Sequence, residues 1–269
     1  MKAGMLKLLG SLLLGIGLLA GILLYGKWAR NNLQNHERYQ TTFADVQCDV
    51  PSGMTRKAFL LEVQYQSELP DHFSILDKTM PGRLKAAFAN HAWVATVNNV
   101  LILPTKEVKV DLELRQPVLH VLLPDQERVV DGEGVLLPLG ASSKDLPRYL
   151  DAAPRPSGRT GLRWGDTNLE TAAKVLGILR PHQKKLRISG VKVELEGVVL
   201  RTVNGSEVRW GSAPGAEPET EVKASEKLAR LLKHVRAHGT LDRPEGPLKH
   251  DVRLVSGSAV SKLDNSGDE

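Results

Sequence analysis

Cysteine is almost absent from this chain of 269 residues: Cys48 stands alone, so neither an intramolecular disulfide nor a cysteine-rich zinc site can form. Aromatic residues are scarce as well, at 4%, and 36 basic residues are set against 31 acidic ones without a basic block, leaving a net charge of +5. So few stacking platforms and so little concentrated charge argue against nucleic-acid recognition. Two signatures of catalysis are missing, the nucleophile elbow G-x-S-x-G and the phosphate loop G-x-x-x-x-G-K-[ST]. What is plentiful is apolar surface. Hydrophobic residues make up 41% of the chain, enough to bury the core of one or two domains and to exclude a disordered protein.

The first concentration of apolar residues runs from Leu8 to Gly26 without a charge, between Lys7 and Lys27. As a helix at ~1.5 Å per residue it extends roughly 28 Å, close to the thickness of a bilayer's hydrocarbon core. The run is longer than a signal-peptide core and no A-x-A-like site closes it, so the expectation is a retained transmembrane helix, 8–26, after a stub of residues 1–7. Lys2 and Lys7 on one side face Lys27, Arg30 and Arg38 on the other, so the charge count does not set an orientation. Ser11/Gly15 and Gly17/Gly21 are small-xxx-small pairs of the kind that seat a partner helix.

A polar connector, 27–42, leads to a segment that reads β-α-α-β-β. Its parts are a strand Phe43–Val50, a helix near Thr55–Gln66, a helix Met80–Asn90 announced by Thr79 and Pro81, and strands Trp93–Leu103 and Val108–Leu114. In the last of these, Val108, Val110, Leu112 and Leu114 alternate with Lys109, Asp111 and Glu113. Two helices on one face of a small sheet are the expected packing for residues 43–115. From 116 to 260 the texture is β-rich with two helices, one behind the capping box Thr167-x-x-Glu170 and one carrying the stripe Ala224, Leu228, Leu231, Leu232 and Val235. Strands are expected at Leu186–Leu195, Gly197–Val203 and Ser206–Trp210, with Asn204-Gly205 as a hairpin turn, and a last one at His250–Val260. The Pro/Gly/Glu bias of 211–221 reads as a mobile loop, and the polar residues 261–269 as a disordered tail. The fold class is α+β.

Little in this pattern carries chemistry. His234 and His238 are spaced i, i+4 on a helix, but no H-E-x-x-H carboxylate or third ligand accompanies them, so a solvated helix face is expected and no metal or cofactor. Asp131-Gly132-Glu133-Gly134 lacks the Ser or Thr and the second copy of an aspartic-protease dyad and the acidic residues of a calcium loop. With Val129 and Val130 leading in and Val135 and Leu136 leading out, it is a hairpin connection.

Laid out in order, FSILDKTMPGRLKAAFANHAWVATVNNVLI, KEVKVDLELRQPVLHV, RVVDGEGVLLP, DLPRYL, VRWGSAP with EKLARLL, and HDVRLVSGSAV resemble successive passages of the FtsQ/DivIB family of bacterial cell-division proteins. The chain departs from the family's pattern at Asp49–Gly53, where a Gly-Asn turn is common, and in the length of the 211–221 loop. The resemblance implies a POTRA domain at 43–115, an FtsQ-type β domain at 116–260, and a non-enzymatic, single-pass inner-membrane scaffold at the division septum, its N-terminus cytoplasmic and its bulk extracytoplasmic. Implied partners are division proteins of the FtsB/FtsL coiled-coil type, with no small-molecule substrate. The family's partner contact lies on the last strand, and the residues that match it here are Arg253, Leu254, Ser256, Gly257 and Val260. The rival expectations are a membrane-anchored envelope hydrolase, which needs a cleft joining His234, His238 and a carboxylate, and a POTRA-type secretion or assembly factor, which needs tandem units or a barrel.

Overall fold

The computed structural model describes residues 15–28, 36–242, 247–255 and 257–262. Residues 15–28 form a helix, α1. Among the described residues no helix is long and apolar enough to cross a membrane. This corrects the expected transmembrane span, of which residues 8–14 lie outside the described residues, and with it the single-pass inner-membrane placement. Ser11 also lies outside them; Gly15, Gly17 and Gly21 are exposed on α1, with nothing within 4 Å of where a Cβ would stand.

The chain divides into two compact units, Met1–Leu114 and Arg115–Glu269. In the first, strands β1 (Gln40–Thr42) and β2 (His72–Ser74) pair antiparallel, as do β3 (Val94–Ile102) and β4 (Val108–Leu114). Helices α2 (Arg56–Ser67) and α3 (Met80–Ala89) supply Phe59, Leu60, Val63, Leu84 and Phe88 to the core. Thr55 caps α2, its hydroxyl accepting from Ala58 N at 3.2 Å. The strand expected at Phe43–Val50 is instead a 3₁₀ turn, Phe43–Asp45, closed by Val46 N donating to Phe43 O at 3.2 Å. Its buried residues, Phe43 and Val46, are three apart, a spacing that fits a turn and not the period of two of a strand. Only Gln47 then joins β4, accepting from Val110 N and donating to Val108 O. The order is therefore β-α-β-α-β-β, and β1 occupies residues expected to be linker.

The second unit is built on an eight-stranded mixed sheet, so the chain is α+β. Its strands are β5 (Pro117–Leu122), β6 (Glu127–Asp131), β7 (Arg148–Tyr149), β8 (Ile188–Glu194), β9 (Gly197–Thr202), β10 (Glu207–Gly211), β11 (Leu248–Asp251) and β12 (Ala259–Lys262), in spatial order β12-β11-β10-β9-β8-β7-β5-β6. Helices α4 (Thr167–Leu179), the short α5 (Gln183–Leu186) and α6 (Ala224–His238) complete it. One apolar cluster joins Leu169, Ala172 and Leu176 of α4 and Leu231 of α6 to Val121, Val191, Leu200 and Val208 of the sheet. On the opposite face Arg148, Gly190, Arg201, Glu207, Lys249 and Ser261 stand in one cross-strand row, which is why alternate positions of these strands are polar. The capping box of α4 is shifted by one residue: Asp166 accepts from Leu169 N at 2.8 Å and Glu170 from Gly165 N at 2.9 Å.

The turn after β6 is fixed by a buried carboxylate. Asp131 Oδ1 accepts from Glu133 N and Val135 N, each at 2.9 Å, while Oδ2 accepts from Arg115 Nη1 at 2.7 Å. Gly134 has φ +74°, and a Cβ there would meet the Glu170 side chain at 2.6 Å, so glycine is required. Asp131→Ala is expected to leave Arg115 unpaired and two turn N–H groups unsatisfied, costing about 3 kcal/mol. Urea denaturation checks this against Asp125→Ala, which removes the exposed ion pair to Arg155 and is expected to change stability by less than about 1 kcal/mol.

Candidate functional site

The two ends of the large sheet differ. At the β6 end, the chain folds back over the edge: Leu137 N donates to Val129 O at 2.9 Å, Asp131 N donates to Val135 O at 3.1 Å, and Val130 bridges Leu136. At the other end, β12 pairs with β11 in the register Leu248↔Lys262, Lys249↔Ser261, His250↔Val260, Asp251↔Ala259. Every residue of β12 is exposed, and among the described residues no strand lies beyond it. The single last strand expected at His250–Val260 is thus two strands joined by an arm, and Ser261 and Lys262, expected in a disordered tail, belong to the edge.

Several of the arm's backbone groups are already bonded. Arg253 O accepts from Val222 N at 3.0 Å, and Leu254 bridges Glu221. Arg230, reaching across from α6, donates Nη1 to Val252 O at 3.2 Å and to Leu254 O at 2.6 Å. Arg253 itself is spent on neighbours: Nη2 and Nε bond Asp251 at 2.7 and 3.0 Å, and Nη1 bonds Glu196 at 3.1 Å. Hydrogen bonding to Asp251, against the opposing pull of burial, pushes the Arg253 guanidinium pKa further up. Burial alone would raise the Asp251 carboxyl, but the bonds and charge of Arg253 outweigh it and hold the group below its ordinary value.

The residues singled out from the sequence therefore separate. Arg253 and Leu254 lie on the arm, Gly257 lies in the turn before β12 with φ +128°, Val260 lies on β12, and Ser256 lies outside the described residues. Val260 is 42% exposed, and Leu254 and Val255, at 44% and 63%, add apolar surface. Arg253→Glu would set a third carboxylate beside Asp251 and Glu196, so Arg253 reads as a brace for the arm and Val260 as the accessible contact.

The arm's support rests on a buried ion pair that sequence reasoning missed. Lys227 is fully buried, its Nζ 2.5 Å from Glu221 Oε1, 3.4 Å from Ser212 O and 5.3 Å above the Trp210 ring. Glu221 Oε1 also accepts from Ser212 N, and Glu217 accepts from Ala224 N at the start of α6 and from Gly215 N. The 211–221 segment, expected to be mobile, is tied down by these bonds. The signal was present in the sequence: Lys227 falls on the apolar stripe between Ala224 and Leu231, where a cation requires a partner.

Of the histidine pair, His238 is exposed, as expected of a solvated face, while His234 is half-buried. The His234 ring lies 4.4 Å from that of His238 and 4.7 Å from that of His250, which is buried and donates Nε2 to Leu241 O at 2.7 Å. Among the described residues no group of three or more His, Cys, Asp or Glu side chains could hold a metal ion.

Burial raises the Glu221 carboxyl, but hydrogen bonds from Lys227 and Ser212 together with the Lys227 charge bring it below its ordinary value of 4.5. A carboxyl lowered in the folded state stabilises fully above its unfolded value, and that contribution is lost as pH falls through the folded one. Lys227→Met is therefore expected to cost roughly 3 kcal/mol at neutral pH, with the deficit narrowing on acidification because a protonated Glu221 needs no cation. Thermal melts across the acid range check this; a deficit independent of pH contradicts it. Compared with known proteins, the chain matches no family model and no curated protein significantly.

Proposed function

We propose that this chain is a non-enzymatic scaffold of the bacterial cell-division machinery, which holds partners of the FtsB/FtsL type by adding a partner strand to β12. The observation that supports the docking mode is the open, fully exposed end of the eight-stranded sheet. An edge of this kind offers backbone N–H and C=O groups for affinity and alternate side-chain positions for specificity. The contrast within the same sheet adds weight, since the β6 end is closed by residues 135–137 while among the described residues no strand lies beyond β12. Apolar Leu254, Val255 and Val260 would cover the incoming strand, and Arg230, Glu221 and Lys227 would keep the arm in place while it binds. The assignment to cell division rests on the six sequence passages that resemble the FtsQ/DivIB family.

Val260→Glu combined with Lys262→Glu alters only exposed side chains of β12. The double variant is expected to keep the wild-type circular dichroism and melting behaviour while weakening capture of FtsB/FtsL-type fragments at least about tenfold, a loss of ~1.4 kcal/mol. Unchanged affinity would remove β12 as the docking edge. Fluorescence of a tagged chain in dividing cells is expected to form a midcell band, and a diffuse signal would overturn the division reading.

A further inference from the structure

The first unit holds a second open edge, and its sequence is unlike that of β12. Strand β3 reads VATVNNVLI from Val94 to Ile102, with no charged residue and no proline, and among the described residues it pairs only with β4. The register shows which groups face outward. Val108 and Val110 of β4 spend their backbone groups on Gln47, on the side away from β3. A residue in an antiparallel strand points its N–H and C=O to the same side. Their cross-strand partners, Ile102 and Val100, therefore direct theirs away from β4. Val100 N confirms the direction, being taken up at 2.9 Å by the side chain of Asn99 in its own strand. Between the two outward-facing residues stands Leu101, 49% exposed.

We infer that β3 pairs with the β3 of a second copy of this chain, antiparallel about a two-fold axis at Leu101. That axis sets Val100 of one copy opposite Ile102 of the other, so Ile102 N–H donates to the partner's Val100 C=O and the same bond repeats by symmetry. Once the Asn99 side chain swings aside, Val100 N–H is released to the partner's Ile102 C=O. Leu101 then meets its own copy at the close, non-hydrogen-bonded position, where Cα atoms approach to about 4.5 Å. The axis sets Leu101 against its own copy and brings only uncharged residues of β3 opposite one another, so no like charges meet. Long edges without Lys or Pro are uncommon unless something covers them. Neither the β12 edge nor its partners enter this arrangement.

Sedimentation of the full chain over a concentration series tests it. The wild type is expected to pass from monomer to dimer, Leu101→Lys to weaken the dimer at least about tenfold by placing two ammonium groups at the axis, and Asn99→Ala to tighten it by removing the competitor for Val100 N–H. In a Cys48→Ser background, Leu101→Cys is expected to form a disulfide dimer under mild oxidation, whereas Thr96→Cys, far from the axis, is not. A chain that stays monomeric at every soluble concentration overturns the inference. So does a dimer that Leu101→Lys leaves untouched, or one that persists while Leu101→Cys fails to cross-link.

Discussion

A strand at the end of a sheet leaves half of its N–H and C=O groups to be satisfied by something else, and the second unit is organised around how that requirement is met at each end. At β6 the chain meets it locally. The turn held by Asp131 sends residues 135–137 back along the strand, and the groups are paired within a few residues of where they arise. At β11 the answer is another strand, β12, which only moves the requirement outward by one place. Much of the detail nearby keeps that last strand in position: the arm bonded to Val222, Arg230 over the arm's carbonyls, and the Glu221–Lys227 pair behind both.

Buried charge is the second expense of this arrangement. A lysine with no exposed surface is tolerated because Glu221, the Ser212 carbonyl and the Trp210 ring surround its ammonium group. Replaced by apolar residues of similar volume, such a pair is often no less stable. Its presence here suits a role in geometry, because Glu221 bonds Ser212 N as well as Lys227 and so ties the exit of β10 to α6. Gly211 is part of the same arrangement: its φ is +83°, and the Glu221 carboxylate lies where a Cβ would stand.

Much of the secondary structure was legible in the sequence, because strong local signals coincide with it. The alternation Val108/Val110/Leu112 marks β4, Thr55 and Pro81 mark the starts of α2 and α3, and Asn204-Gly205 marks the turn between β9 and β10. The change of texture at Pro117 falls close to where the two units divide, after Leu114. Less was legible where tertiary bonding overrides composition. Residues 211–221 have the makeup of a loose loop, yet Glu217 and Glu221 bond backbone groups that no sequence pattern reveals. Apolar residues at Val252, Leu254 and Val260 suggested one strand, but the pull of Arg230 and Val222 on the intervening carbonyls breaks it into two. The apolar run at Leu8–Gly26 was judged on length, and only residues 15–26 of it are among the described residues.

The parallel pairing of β10 with β11 carries a consequence for how the unit comes together. Parallel neighbours need a crossover, and here α6 is that crossover, so the seat of β11 beside β10 is coupled to the packing of α6 on the sheet. Contacts between segments so far apart in sequence carry a loop-closure cost that the pairing must offset. Without β11, β10 would be the border of the sheet, and it carries Val208 and Trp210, both fully buried in the fold. The edge strand β12 pairs only with β11, and β11 is held beside β10 through the α6 crossover, so any change that unseats α6 would remove the outer edge of the sheet as well.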